Sequence, residues 1–250
     1  NQKNLQTLRS EAVYKHNINA PDQENVLIYE EADETYSVYV NASKSRKYIF
    51  ISSQSTTTSE HRFISSDSPN EAFKVIQPRT KGLEYDVEHF GDHFYLHTNH
   101  NQATNFKIMR TPISQTELTF WEPLLDHREE VLIEDFELFE KYWVINERAN
   151  GLSRLRVMRW DQSEDYYLPM EEETYALYIS YNPEFTTTQL RYVYNSMTTP
   201  TSVIELDLVS QQKKVLKTQE VLGGDFSPEN YISQRLWATG RDGKQIPISI

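Results

Sequence analysis

The sequence predicts an all-β fold: about four and a half β-propeller blades, each of four antiparallel strands, followed by a C-terminal hairpin. Three observations predict it. Apolar-charged-apolar triplets recur at His61-Arg62-Phe63, Phe106-Lys107-Ile108, Leu155-Arg156-Val157 and Ile204-Glu205-Leu206, with Tyr14-Lys15-His16 as a looser fifth copy. The charged centres at 15, 62, 107, 156 and 205 lie 47, 45, 49 and 49 residues apart. An apolar run begins 13 residues before each of the last four centres, and no segment sustains the three- and four-residue spacing of a long amphipathic helix.

The partial copy comes first, with Lys15 marking its third strand and Val26-Leu27-Ile28-Tyr29 its fourth. Four full copies follow. Their first strands are expected at Tyr36 to Val40, Tyr85 to Val87, Leu132 to Leu138 and Ala176 to Ser180. The second strands are Ile49-Phe50-Ile51, Phe94-Tyr95-Leu96, Trp143-Val144-Ile145 and Tyr192-Val193-Tyr194, each ending in polar residues. Runs of this kind suit strands buried on both faces, whereas a charged centre suits the more peripheral third strand. The fourth strands are expected at Phe73 to Ile76, Trp121 to Leu125, Tyr166 to Leu168 and Lys214 to Leu216. The pattern breaks at Tyr231. Arg235 to Ala238, an Asp242-Gly243 turn and Ile246 to Ile250 read as a hairpin outside the repeat.

Composition narrows the chemistry. Of 250 residues, 38% are hydrophobic and 16 are tyrosine, which supports a folded core of half-buried strands. Cysteine is absent, so disulfides, thiolate metal sites and a cysteine nucleophile are excluded, and a reducing, cytoplasmic setting is expected. No run approaches the roughly 18 apolar residues of a membrane-spanning helix, and the chain does not open on a signal peptide. A formal net charge of −12 disfavours nucleic acid and would draw cationic ligands. Asn41-Ala42-Ser43 matches a glycosylation sequon, an unsurprising chance match in a chain rich in Ser and Thr.

No complete catalytic site is legible. The seven glycines never form the Gly-x-Ser-x-Gly elbow of a hydrolase, a phosphate-cradling loop is missing, and so is HExxH. His93, His97 and His100 are the only histidine cluster; His93 and His97 share a strand face and His100 opposes them, a weak metal set. Glu129-Glu130 and Glu171-Glu172-Glu173 could supply paired carboxylates, but consecutive acids alternate faces and read as solvated loops. Arg148 and Arg154 flank the turn-forming Gly151 and read as partners in salt bridges across a blade edge. No cofactor is expected.

Arg191 to Pro200 (RYVYNSMTTP), Leu236 to Gly243 (LWATGRDG) and Ile246-Pro247-Ile248-Ser249 resemble the prolyl oligopeptidase family, most closely its oligopeptidase B (protease II) branch. Thr57-Thr58-Ser59-Glu60, His93-Phe94-Tyr95-Leu96 and Asn105-Phe106 extend the resemblance over essentially the whole chain. The resemblance implies a seven-bladed propeller joined to an α/β-hydrolase domain of the same longer chain. Residues 1–230 would then be part of the propeller, and 231–250 the first hairpin of the hydrolase. It also implies a Ser-Asp-His triad beyond Ile250, and cleavage of short cationic peptides after Arg or Lys, with the propeller as a size-filtering lid. On this expectation the stretch alone is inert, and blades missing from the ring leave open edges that favour self-association. A free-standing propeller for protein interaction is the alternative, and a propeller glycosidase, needing convergent carboxylates, is a third.

Overall fold

The structure is a computed structural model describing residues 2–5, 8–19, 21 and 25–250. Its described residues form six antiparallel sheets with strands in sequence order, broken only by short 3-10 turns at Leu118–Phe120 and Pro228–Asn230. The chain divides into two compact units, Asn1–Asp126 and His127–Ile250.

The first unit opens with a three-stranded sheet: β1 (Gln2–Lys3), β2 (Ser10–Lys15) and β3 (Val26–Glu30). The expected half blade therefore has one strand more than its two recognisable segments. Two four-stranded sheets follow. One comprises β4 (Ser37–Ala42), β5 (Tyr48–Gln54), β6 (Ser59–Ser65) and β7 (Lys74–Val75). The other comprises β8 (Tyr85–Phe90), β9 (His93–Thr98), β10 (Lys107–Pro112) and β11 (Glu122–Leu125). Val13, Val38 and Ile51 join the first sheet to the second. Phe50, Phe63 and Ile76 meet Tyr85, Phe94, Leu96 and Trp121 between the second and third, with rings packed edge to face, as in Phe63 on Phe94 at 4.8 Å.

The second unit repeats the plan. One sheet holds β12 (Val131–Leu138), β13 (Tyr142–Ala149), β14 (Leu152–Arg159) and β15 (Asp165–Tyr167). The next holds β16 (Ala176–Ile179), β17 (Gln189–Asn195), β18 (Ser202–Asp207) and β19 (Lys213–Thr218). Val144, Leu155, Val157, Leu190, Tyr192 and Leu206 are among the buried residues between them. Burying such side chains contributes about 1.5–3 kcal/mol each, which explains why apolar runs mark the second strands of the four-stranded sheets. The hairpin is β20 (Arg235–Thr239) against β21 (Gln245–Ser249), as the sequence predicts.

The charged triplet centres do not all hold one register. Arg62 faces Ile51 and Arg156 faces Ile145, both 11 residues back. Glu205 faces Arg191, and Lys107 faces Thr98. The connections between second and third strands differ in length, so an equal spacing in sequence becomes an unequal pairing. Phe106 lies outside β10 altogether, at φ 58.

Candidate functional site

The end of the second unit that carries the hairpin gathers two clusters of polar side chains, around Glu147 and Glu172. Its foundation is the two-residue connection between β13 and β14. Asn150 and Gly151 both have positive φ (52 and 74), the geometry of the tight turn that an Asn-Gly pair favours between twisted strands. Gly151 is also needed for clearance. A Cβ there would lie 3.2 Å from an Arg235 nitrogen and 3.3 Å from Pro247 Cγ, so the hairpin rests directly on this turn. The Arg235 guanidinium donates to the Asn150 carbonyl and to Ser249 Oγ (3.0 Å).

Beneath the turn lies Glu147, fully buried on β13. Arg128 and Arg154 pair with its carboxylate, the Tyr167 hydroxyl donates to it at 2.8 Å, and Arg156 approaches to 3.8 Å while pairing with Asp165 at 2.6 Å. Arg154 also lies 4.2 Å over the Tyr167 ring. A bulge on β12 leaves Glu134 without a cross-strand partner and turns its carboxylate to Arg148 (2.7 Å) and Ser153 (3.2 Å). Arg148 and Arg154 thus make the salt bridges the sequence suggests.

Glu172 is the centre of a second cluster. Its carboxylate accepts hydrogen bonds from Tyr194 Oη (2.8 Å), Thr198 Oγ1 (2.7 Å), Thr199 Oγ1 (2.7 Å) and Ser233 Oγ (3.3 Å). Burial works to raise its pKa, but hydroxyls of Ser196, Thr198, Thr199 and Tyr194 outweigh it and hold the carboxyl at about 2. The neighbouring Glu173 accepts the Arg235 backbone N–H at 3.0 Å. The reading of this acidic run as a solvated loop is therefore corrected at Glu172: an ionised carboxylate needs donors, and the Ser-Met-Thr-Thr segment between β17 and β18 supplies them. A groove of about 270 Å³ between Tyr175, Asn195, Met197 and Ser249 runs alongside.

The remaining candidates are not assembled into a centre. Glu129 and Glu130 are exposed before β12. A carboxyl held at about 2, as in Glu172, is no general acid near neutrality, so a glycosidase pair is not formed there. In the first unit, His97 stacks on Phe106 (4.5 Å) with Nδ1 4.0 Å from Asp86, His100 meets the edge of Trp121, and His93 opens β9 opposite Pro112. Among the described residues, no group of three or more His, Asp or Glu is placed to hold a metal ion.

Consecutive four-stranded meanders with a hairpin seated at one end define blades of a β-propeller domain. Residues 1–219 match the prolyl oligopeptidase N-terminal β-propeller domain, and the chain belongs to that family. It is 40% identical over 249 residues to the dipeptidyl aminopeptidase BI of Pseudoxanthomonas mexicana, covering 99% of this chain and 34% of that protein. To protease 2 of Moraxella lacunata it is 29% identical, covering 95% and 34%. Among solved structures, oligopeptidase B from Trypanosoma brucei, in a closed form with covalently bound antipain, matches with a TM-score of 0.88 and 31% identity over 97% of this chain and 36% of that one. The oligopeptidase B of Leishmania major matches with a TM-score of 0.88 and 28% identity over 99% and 36%. The chain spans about a third of the length of these relatives.

Proposed function

We propose that this chain is the propeller lid and scaffold of a serine oligopeptidase, joined through residues 231–250 to an α/β-hydrolase domain whose Ser-Asp-His triad lies beyond Ile250. The observation that carries this reading is the seat of the hairpin. Leu236, Trp237, Ile246 and Ile248 leave much of their apolar surface exposed, while polar contacts tie Arg235 to the blades. A two-stranded hairpin is marginal alone in water, so this one is built to be completed by further structure.

In this role the blades exclude folded proteins sterically and admit short peptides. The net charge of −12 draws cationic ones, in keeping with cleavage after Arg or Lys. The absence of cysteine suits the cytoplasm, and no helix among the described residues is long and apolar enough to cross a membrane. A second reading has its own support: the 40% identical relative is a dipeptidyl aminopeptidase, so the longer protein would release dipeptides from free N-termini.

The coding sequence downstream of Ile250, expressed with this chain and given peptide libraries with free or acetylated N-termini, separates these readings. Cleavage of acetylated peptides after Arg or Lys supports the oligopeptidase. Dipeptide release only from free N-termini supports the second reading. A stop codon directly after Ile250, with no elbow serine encoded, would leave the free-standing interaction propeller.

A further inference from the structure

Between β19 and the hairpin the chain makes an exposed excursion over residues 220–234 with only the single 3-10 turn at Pro228–Asn230. Both ends of this excursion are fixed to the same rim of the last sheet. Gln219 N donates to the Thr201 carbonyl where it leaves, and Ser233 Oγ and Arg235 N donate to the carboxylates of Glu172 and Glu173 where it returns. The hydrogen bonds that fix it are polar, Pro247 packs beside Gly151, and the remaining large apolar side chains of the hairpin stay about half exposed, Trp237 at 49%.

Glu172 stands where these segments meet. It takes hydroxyls from β17 (Tyr194), from the connection to β18 (Thr198, Thr199) and from the returning excursion (Ser233), which lies more than thirty residues further along the chain. We infer that Glu172 is a positioning residue, the centre of a clasp that holds the hairpin, and whatever follows it, in a fixed orientation on the propeller rim. A clasp of hydroxyls on one carboxylate opens without exposing apolar core. It therefore suits a contact that must release and re-form as a covered site admits a peptide. Only this last consequence rests on the function proposed above.

The experiment has two arms. In residues 1–250 alone, Glu172→Gln leaves one carbonyl oxygen for four hydroxyl donors, and Ser233→Ala removes the single donor from the excursion without touching a blade. Hydrogen exchange of the amides in 235–239 and 245–249 is expected to accelerate about tenfold in the first variant and less in the second, while β16, β17 and β18 stay within about twofold. Glu171→Gln, on an exposed neighbour, changes neither. Unchanged hairpin exchange in both variants, or loosening of the blade strands to the same degree, overturns the clasp.

In the longer polypeptide, Glu172→Gln is expected to lower KM for long peptides relative to short ones, relaxing size selection with kcat for short peptides retained. A uniform loss of kcat across lengths contradicts the positioning role. Failure of the longer polypeptide to cleave any peptide counts against the proposed function and leaves the exchange result to decide the clasp.

Discussion

Glu147 and Arg128 form an ion pair in which the carboxylate has no solvent exposure, and Arg154, Arg156 and the Tyr167 hydroxyl close around the same oxygens. Taking a charge out of water is costly, and only this convergence compensates for it. Removing the carboxylate leaves guanidiniums facing one another. Glu147→Ala is expected to cost about 3–5 kcal/mol in urea unfolding of the second unit, and Tyr167→Phe about 1 kcal/mol. A Glu147→Ala loss below about 1 kcal/mol would show the network to be an ordinary surface pair.

His61 gives the first unit a pH dependence. Its Nε2 lies 2.6 Å from the Tyr85 carbonyl and therefore donates to it, leaving Nδ1 to accept the Ser52 hydroxyl at 2.8 Å. Burial disfavours the imidazolium and lowers the pKa, against the pull of the Asp86 and Glu60 carboxylates and the Tyr85 carbonyl. The unfolded chain takes up a proton near 6.5 that the folded chain refuses, so stability is complete above that pH and falls as the solution is acidified below it. His61→Gln should flatten the stability profile between about pH 6.5 and 5; an unaltered slope would assign the effect to His89 and His100, whose pKa values are also lowered by burial.

Gly151→Ala tests the turn under the hairpin. A left-handed backbone with a Cβ costs about 1–2 kcal/mol, and the new atom meets Arg235 and Pro247. Thermal unfolding should show this loss together with a change in Trp237 fluorescence. A stability loss with unchanged Trp237 emission would mean the hairpin does not rest on the turn.

The first and last sheets each carry exposed apolar side chains: Tyr14 opposite Leu27 on the first, Tyr178 on the last. Exposed apolar groups on open sheet edges favour association. The isolated chain should show concentration-dependent self-association by light scattering, reduced by Leu27→Lys and Tyr178→Lys. A monodisperse monomer at high concentration would contradict this.

The repeat was legible because a blade strand buried on both faces demands apolar residues wherever it recurs, as at Phe50, Phe94, Val144 and Tyr192. Its register was not, since turn length decides pairing and, between the second and third strands of the four-stranded sheets, only Asn150-Gly151 is a short, self-announcing turn. β1 is too short for any pattern to mark it. Glu172 was singled out only as one of an acidic run and read as solvated, for a different reason. Its partners lie 22 to 61 residues away and are hydroxyls, residue types that are everywhere in this chain. The Ser-Met-Thr-Thr run, recognisable as a family motif, was the available signal, and its chemistry becomes apparent only when a carboxylate is seen to sit in it.

We propose that these blades serve a catalytic serine carried elsewhere in a longer chain. The most direct test is turnover of a fluorogenic Arg-ending peptide by residues 1–250 and by the polypeptide extended past Ile250, each with and without a serine-reactive phosphonate. No turnover is expected from the former, and phosphonate-sensitive turnover from the latter. Hydrolysis by residues 1–250 that persists through stringent purification, or an extended polypeptide without phosphonate-sensitive activity, would contradict it.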